Sequence, residues 1–466
     1  MNTDRFGKYG NDVRSLVLDF ESMHKRGDEQ FYDVDEFEVI IDYYLEENDF
    51  EWLESAVSYA EKLYPDDPEI RLRRSHLYCA NGQYDRAKAI LDDLERIEPE
   101  NTDVQYALGA LYSSTDNPRK AIQYYLKAST DGYELGMVYG NVADEYYKLG
   151  ELDESVRYYK KSIAANHNED RSLYNLSSLW AENGRFEEAV GYFERFLDEE
   201  PYSAEGWACL ANIHFDQGDW EAAIDAYKYL LVIDQKRSSA YLDMSNCYCN
   251  LKQYAEAVSV LRESLEFASD KSYVYYSIGR IYGHCRNFES AVIYYRKAIE
   301  LDNSFADAYM SVSRCYSQMN DYGTAVDFAN RALAVNPKSP LYVWETARLH
   351  DRFDNVELAD SLYDCAVQLD PEDEMMRVDY AEFLVRHADY DKAIALLGDG
   401  LVNASVSLPY HVLLAVCYYR TGRRNFLFNA IRACQQHLSD QRLEDLFYLC
   451  PEILMDPEVL NILNSK

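Results

Sequence analysis

Bulky apolar residues and small ones alternate along this chain at helical steps. In 272–305, SYVYYSIGRIYGHCRNFESAVIYYRKAIELDNSF, the bulky positions are Tyr275, Ile278, Tyr282, Phe288 and Tyr295, and the small ones are Gly279, Ala291 and Ala298. The spacing is helical on both sides of a break at Arg286–Asn287. It predicts two antiparallel helices that touch where the side chains are small.

The same pattern returns every 34 residues. Units begin at Val34, Pro68, Thr102, Gly136, Asp170, Ala204, Ser238, Ser272, Ala306, Pro340, Glu374 and Leu408, with no insertion or deletion. The eighth residue of a unit is small in all but the first (Ser75, Gly109, Ala143 and so on), where it is Ile41. The twentieth is Ala or Ser except in the terminal units, which have Leu53 and Leu427. A large side chain at either place would hold two crossing backbones apart. The eleventh residue is mostly aromatic, as in Tyr44, Tyr112, Trp180, Tyr248, Tyr282 and Tyr316, and such rings are expected to fill the gap between one hairpin and the next. Pro65, Pro99, Pro201, Pro337 and Pro371 stand where a second helix must stop.

This grammar resembles the tetratricopeptide repeat family, and the resemblance covers nearly the whole chain. It implies an all-α fold, a right-handed superhelical solenoid of helical hairpins, with first helices lining a concave groove and second helices facing out. The organisation expected is a capping helix and acidic link in 1–33, twelve units in 34–441, and capping helices in 442–466. The N-terminal helix is expected from about Asp12 to Lys25, with Val13, Leu16, Val17, Phe20 and Met23 on one side. The C-terminal stretch carries Leu443, Leu446, Phe447, Leu449, Ile453, Leu454, Leu460 and Leu463, divided by Pro451 and Pro457. It reads as a cap for the last unit or as a patch for self-association.

Composition narrows the function. The chain has 46 basic and 82 acidic residues, a net charge of −36, which disfavours nucleic acid and anionic lipid as partners. The N-terminal sequence shows no secretory signal or membrane span, so the cytosol is the default expectation. Ten cysteines include Cys247, Cys315 and Cys417 at the tenth position of their units, a packing slot for a small apolar side chain. The Cys247–Cys249 spacing does not suit zinc. No phosphate loop, HExxH or nucleophile elbow is present, so the reading is non-enzymatic, without cofactor or metal.

Function is therefore sought in the groove. The resemblance implies that positions 2, 5, 6, 9, 12 and 13 of each unit face it. Those slots hold Asp35, Glu38, Asp42 and Glu46 in the first unit, Asn141 and Asn175 at position 6, and Asn212 and Asn246 at position 9. Arg280, Arg314 and Arg348 then occupy position 9 of three consecutive units, and His284, Arg352, Arg386 and Arg420 stand at position 13. Guanidinium forks bind carboxylates bidentately, so the ladder fits an extended acidic segment of a partner protein, with Tyr276 and Trp344 as flat anchors. Glu345, Asp351, Asp379 and Glu382 fall on the same wall and could instead pair with the arginines internally. The resemblance also suggests asparagines that hold a peptide backbone, whereas the family's chaperone-tail clamp is excluded because no unit has Lys at position 5. The alternative function is a regulatory or assembly subunit that works through its outer face or through a C-terminal tail able to form a homo-oligomer.

Overall fold

Left-handed backbone marks the turn inside every hairpin. The computed structural model describes residues 11–129, 134–400, 408–437 and 447–464. Among these, positive φ falls on the fifteenth residue of all twelve 34-residue units: Gly82, Gly150, Gly184, Gly218 and Gly422, but also Asn48, Asp116, Lys252, Arg286, Asn320, Asp354 and Ala388. The next residue's N–H then donates to the carbonyl of the eleventh residue, as Asn287 does to Tyr282 at 2.9 Å and Asp389 to Leu384 at 2.9 Å. This six-to-one bond satisfies carbonyls left orphaned at the helix end and turns the chain back sharply.

The chain divides into two compact units, 1–235 and 236–466. In the first, α1 (Asn11–Arg26) precedes hairpins α2 and α3 (Val34–Glu46, Phe50–Leu63), α4 and α5 (Pro68–Ala80, Tyr84–Ile97), α6 and α7 (Thr102–Ser114, Pro118–Ala128), α8 and α9 (Leu135–Lys148, Leu152–Ala165), α10 and α11 (Asp170–Glu182, Phe186–Glu199), and α12 and α13 (Ala204–Gln217, Trp220–Ile233). The second holds α14 and α15 (Ser238–Asn250, Tyr254–Ser264), α16 and α17 (Lys271–His284, Phe288–Leu301), α18 and α19 (Ala306–Gln318, Tyr322–Val335), α20 and α21 (Pro340–Arg352, Val356–Leu369), α22 and α23 (Glu374–Arg386, Tyr390–Gly400), α24 and α25 (Leu408–Arg420, Arg424–His437), a 3₁₀ turn (Pro451–Met455) and α26 (Pro457–Asn464). No strand occurs among the described residues. The tandem helical hairpins confirm the all-α fold class.

Packing explains the small-residue rule. Ala87, Ala121, Ala189, Ala257, Ala291 and Ala325, all at position twenty, are completely buried. A Cβ built on Gly109 would stand 2.6 Å from the Tyr125 ring, and one on Gly279 would stand 2.7 Å from the Tyr295 ring. The same two slots thus meet in two different hairpins, and only glycine lets the ring lie flat on the first helix. The eleventh-position rings differ from expectation. Tyr112, Tyr146 and Tyr282 stack on Tyr124, Tyr158 and Tyr294, the second-helix rings of their own hairpins, at 5.4, 5.3 and 5.4 Å between centroids. Tyr282 also packs against a buried cluster that joins Ala291, Val292 and Tyr295 of its own hairpin to Val312, Cys315 and Phe328 of the following one.

Both ends of the described chain turn apolar residues inward. From α1, Val17, Phe20 and Met23 enter a core with Tyr32, Phe37, Tyr44 and Leu53. Near the C-terminus, Phe447, Ile453 and Val459 are fully buried beside Leu427, Ile431 and Cys434. Leu443 and Leu446 lie outside the described residues, as do Gln441 and the side chain of Leu463.

Candidate ligand-binding face of the first helices

Three hollows open on the first helices, and the residues expected at the groove line them. In the first unit, a cavity of about 660 Å³ lies over α8 and α10 and is lined by Asn141, Asp144, Arg171, Asn175, Tyr174 and Glu182, among others. Its polar groups already serve one another. Asn141 donates to the Tyr106 hydroxyl at 2.8 Å and accepts from Arg171 at 2.6 Å. Asn175 donates to Asp144 at 3.1 Å, and the Tyr159 hydroxyl donates to the same carboxylate. Asn212, in α12, accepts from the Tyr227 hydroxyl at 2.8 Å. Of these three asparagines, Asn141 has least left for a peptide backbone, because both ends of its amide are engaged. Toward the N-terminus, burial pushes the pKa of Glu38 and Asp42 up, and Arg73 pulls both partly back.

The second unit holds the arginines. Arg314, Arg348 and Arg352 line a cavity of about 360 Å³ over α18 and α20, together with Glu345 and Asp351. Each ladder arginine past Arg280 finds a carboxylate on a neighbouring first helix. Arg314 Nε donates to Glu345 at 2.7 Å. Arg348 Nε lies 3.4 Å from Asp379. Arg386 clasps Asp351 with two bonds, 3.1 and 2.6 Å, and sits 3.9 Å from Glu382. Burial pushes the Asp379 carboxyl up, and Arg348 opposes that shift. The internal network that the sequence allowed is therefore present. Pairs this exposed, at 51% for the Arg314 side chain and 57% for Arg348, contribute only about 0–1 kcal/mol each. They orient the guanidinium groups without consuming them, since each arginine has five N–H donors.

The two expected anchors are packed rather than free. Trp344 is 8% exposed and lies beneath Arg348, whose guanidinium carbon is 4.8 Å from the ring centroid. Tyr276 is half-buried against Phe305 at 4.8 Å and Tyr295 at 5.5 Å. An aromatic supporting a cation from below is the physical reason for Trp344 at that slot. Arg352 is exposed and makes no ion pair among the described residues, with only the Phe353 ring nearby at 6.0 Å.

A third hollow, of about 340 Å³, lies over α14 and α16 and collects Arg280, Asn246 and His284. Sequence reasoning named these residues separately and missed that they converge.

The remaining chemistry is sparse. All ten cysteines are free, and Cys247, Cys315 and Cys417 are buried as packing residues. Among the described residues, no group of His, Cys, Asp and Glu is arranged to hold a metal ion, and no helix is long and apolar enough to cross a membrane.

Family profiles described as tetratricopeptide repeat match residues 53–111, residues 143–204, and residues 102–130, 272–305 and 306–339. A profile described as anaphase-promoting complex, cyclosome, subunit 3 matches residues 182–264. No curated protein matches the chain. Similar solved structures include a tetratricopeptide repeat protein from Parabacteroides merdae, at 14% identity and TM-score 0.39, covering 53% of this chain and 98% of that one. MamA shows 18% identity and TM-score 0.31 over 35% of this chain and 95% of its own. YrrB, described as a TPR protein with an unusual peptide-binding site, shows 20% identity and TM-score 0.31 over 40% of this chain and 96% of its own.

Proposed function

The chain belongs to the tetratricopeptide repeat family, and from that premise we propose that it is a non-enzymatic interaction scaffold whose first-helix face receives an extended, acid-bearing segment of a partner protein. The observation that carries this reading is the row of exposed guanidinium groups on consecutive first helices. Arg280, Arg314, Arg348 and Arg386 stand on α16, α18, α20 and α22 of a chain whose net charge is −36. The internal pairs of Arg314 and Arg348 are weak enough for a partner's carboxylates to join or displace them, and Arg280 has no ion pair among the described residues. Trp344 supports Arg348 from below, and Arg352 adds a cation that makes no ion pair among the described residues. Asn175, Asn212 and Asn246 keep hydrogen-bonding capacity for backbone or side-chain amides, whereas Asn141 has spent most of it. Neither nucleic acid nor an anionic membrane suits so acidic a chain.

Joint replacement of Arg280→Gln, Arg314→Gln and Arg348→Gln tests the assignment. The full chain and the variant are used as baits, and retained proteins are identified by mass spectrometry. The variant is expected to lose at least one partner that the full chain retains, with unchanged helical content by circular dichroism. Identical retention would rule out the arginine wall as the binding surface.

A second reading draws on the similarity of residues 182–264 to a family described as a subunit of a larger complex. On that reading the chain is an assembly subunit, and its contacts lie on second helices or the C-terminal segment.

A further inference from the structure

The hollow over α14 and α16 differs from the other two in its lack of acid. Its side chains include Arg280, His284, Asn246, Asn250, Ser277 and Tyr273, and no carboxylate lines it. The other two are lined by Asp144, Glu145 and Glu182, and by Glu345 and Asp351. Helix α16 contains no acidic residue, and α14 contains one, Asp243, which is outside the lining. In a chain with 82 acidic residues among 466, an acid-free hollow that holds an arginine is a local reversal of sign.

The hydrogen bonds agree. Arg280 is exposed, and its guanidinium has no ion pair, hydrogen bond or ring contact among the described residues. Its field nevertheless reaches across to α14, where it opposes the upward push of burial on the Cys249 thiol. The Asn246 side-chain amide is likewise exposed and without a partner among the described residues, while the Asn250 amide donates to the Asn246 carbonyl at 3.0 Å. His284 leans on Tyr254 at 6.0 Å between ring centroids, which holds the imidazole at the rim. Arg280 and His284 are positions 9 and 13 of one unit, and Asn246 and Asn250 are positions 9 and 13 of the unit before it. Two adjacent helices therefore face each other with matched pairs of donors one turn apart.

We propose that this hollow is an anion subsite that grips one carboxylate or phosphate group, with Arg280 as the charge-bearing fork, Asn246 as a second donor and His284 and Ser277 at the rim. It rests on the scaffold reading and gives it an anchor: the acidic segment is fixed here, and the paired arginines of α18 to α22 guide the rest of that segment. Neighbouring carboxylates would ordinarily neutralise an arginine in so acidic a protein. Their absence leaves the charge for a ligand.

The test tracks the reactivity of individual arginines in the full chain. Phenylglyoxal is added, and modification of each arginine is timed by peptide mass spectrometry. The probes are inorganic phosphate, N-acetylglutamate methylamide and the neutral N-acetylglutamine methylamide. At twice the half-saturating concentration of an anionic probe, mass action slows Arg280 about threefold. The neutral probe leaves Arg280 unchanged, and Arg195, exposed on second helix α11 outside the proposed binding face, is unaffected throughout. Protection by phosphate alone identifies a phosphorylated residue as the source, and protection by the glutamate probe alone identifies an acidic side chain. Asn246→Asp supplies an internal carboxylate and is expected to abolish protection. The proposal is overturned if Arg280 is slowed no more than Arg195, or if protection survives Asn246→Asp. Protection at Arg280 without any partner lost in the bait comparison would leave the subsite standing and the scaffold reading fallen.

Discussion

Ala388 holds φ of 61°, a conformation that suits glycine, and five of the twelve equivalent turns do use glycine. The side-chain penalty for this region is on the order of 1 kcal/mol, so Ala388→Gly is expected to stabilise the chain by about that much. Gly279→Ala should act in the opposite direction. A methyl there meets the Tyr295 ring at 2.7 Å, and overpacking of about 1–3 kcal/mol outweighs a helix-propensity gain of about 1 kcal/mol. Urea midpoints for the two variants should move apart, up for the first and down for the second. Shifts of the same sign would contradict the turn and crossing geometry described. The sequence displayed one of these constraints clearly. Small residues at positions eight and twenty announce a crossing, whereas the left-handed turn hides behind Lys252, Arg286 and Ala388, which carry no sign of it.

Helices in such an array are stable only through their neighbours, so the first hairpin depends on the element that covers it. The Phe20 ring of α1 lies within 5.9–6.5 Å of Tyr32, Tyr44, Trp52 and Tyr59, centroid to centroid. On the reading of α1 as a cap, Phe20→Ala costs about 3–5 kcal/mol, concentrated in α2 and α3. Hydrogen exchange should quicken in those two helices and remain unchanged from α14 onward. Uniform quickening, or none, would mean that α1 does not hold the first hairpin. Much of this level was readable, since the apolar side of 12–25 and the proline stops were visible as a pattern. The partner of each ring was not. Tyr282 could be assigned to the next hairpin from spacing, but its stack on Tyr294 depends on the angle at which two helices cross, which no periodicity encodes.

Over the full chain, charge that is spent on internal pairs stands apart from charge that is kept for a ligand. The arginine ladder was legible because three residues repeat at one slot. The pairing of Arg314, Arg348 and Arg386 with Glu345, Asp379 and Asp351 was legible only as one of two outcomes, because either fits the same spacing. The acid-free hollow went unseen although its signal was available: α16 reads KSYVYYSIGRIYGH, without one carboxylate. Attention to charges that are present conceals the informative absence. If the scaffold reading holds, a partner lies along first helices of the second unit. Site-specific photo-crosslinking reads this directly. A photoreactive residue is placed at Gln318 or Met375, both exposed on first helices, and separately at Ile293 or Leu358, exposed on second helices. Covalent capture of one partner is expected from Gln318 and Met375, with little from Ile293 or Leu358. Capture confined to Ile293, Leu358 or the exposed Met455 of the C-terminal segment would contradict the scaffold reading and favour an assembly subunit instead.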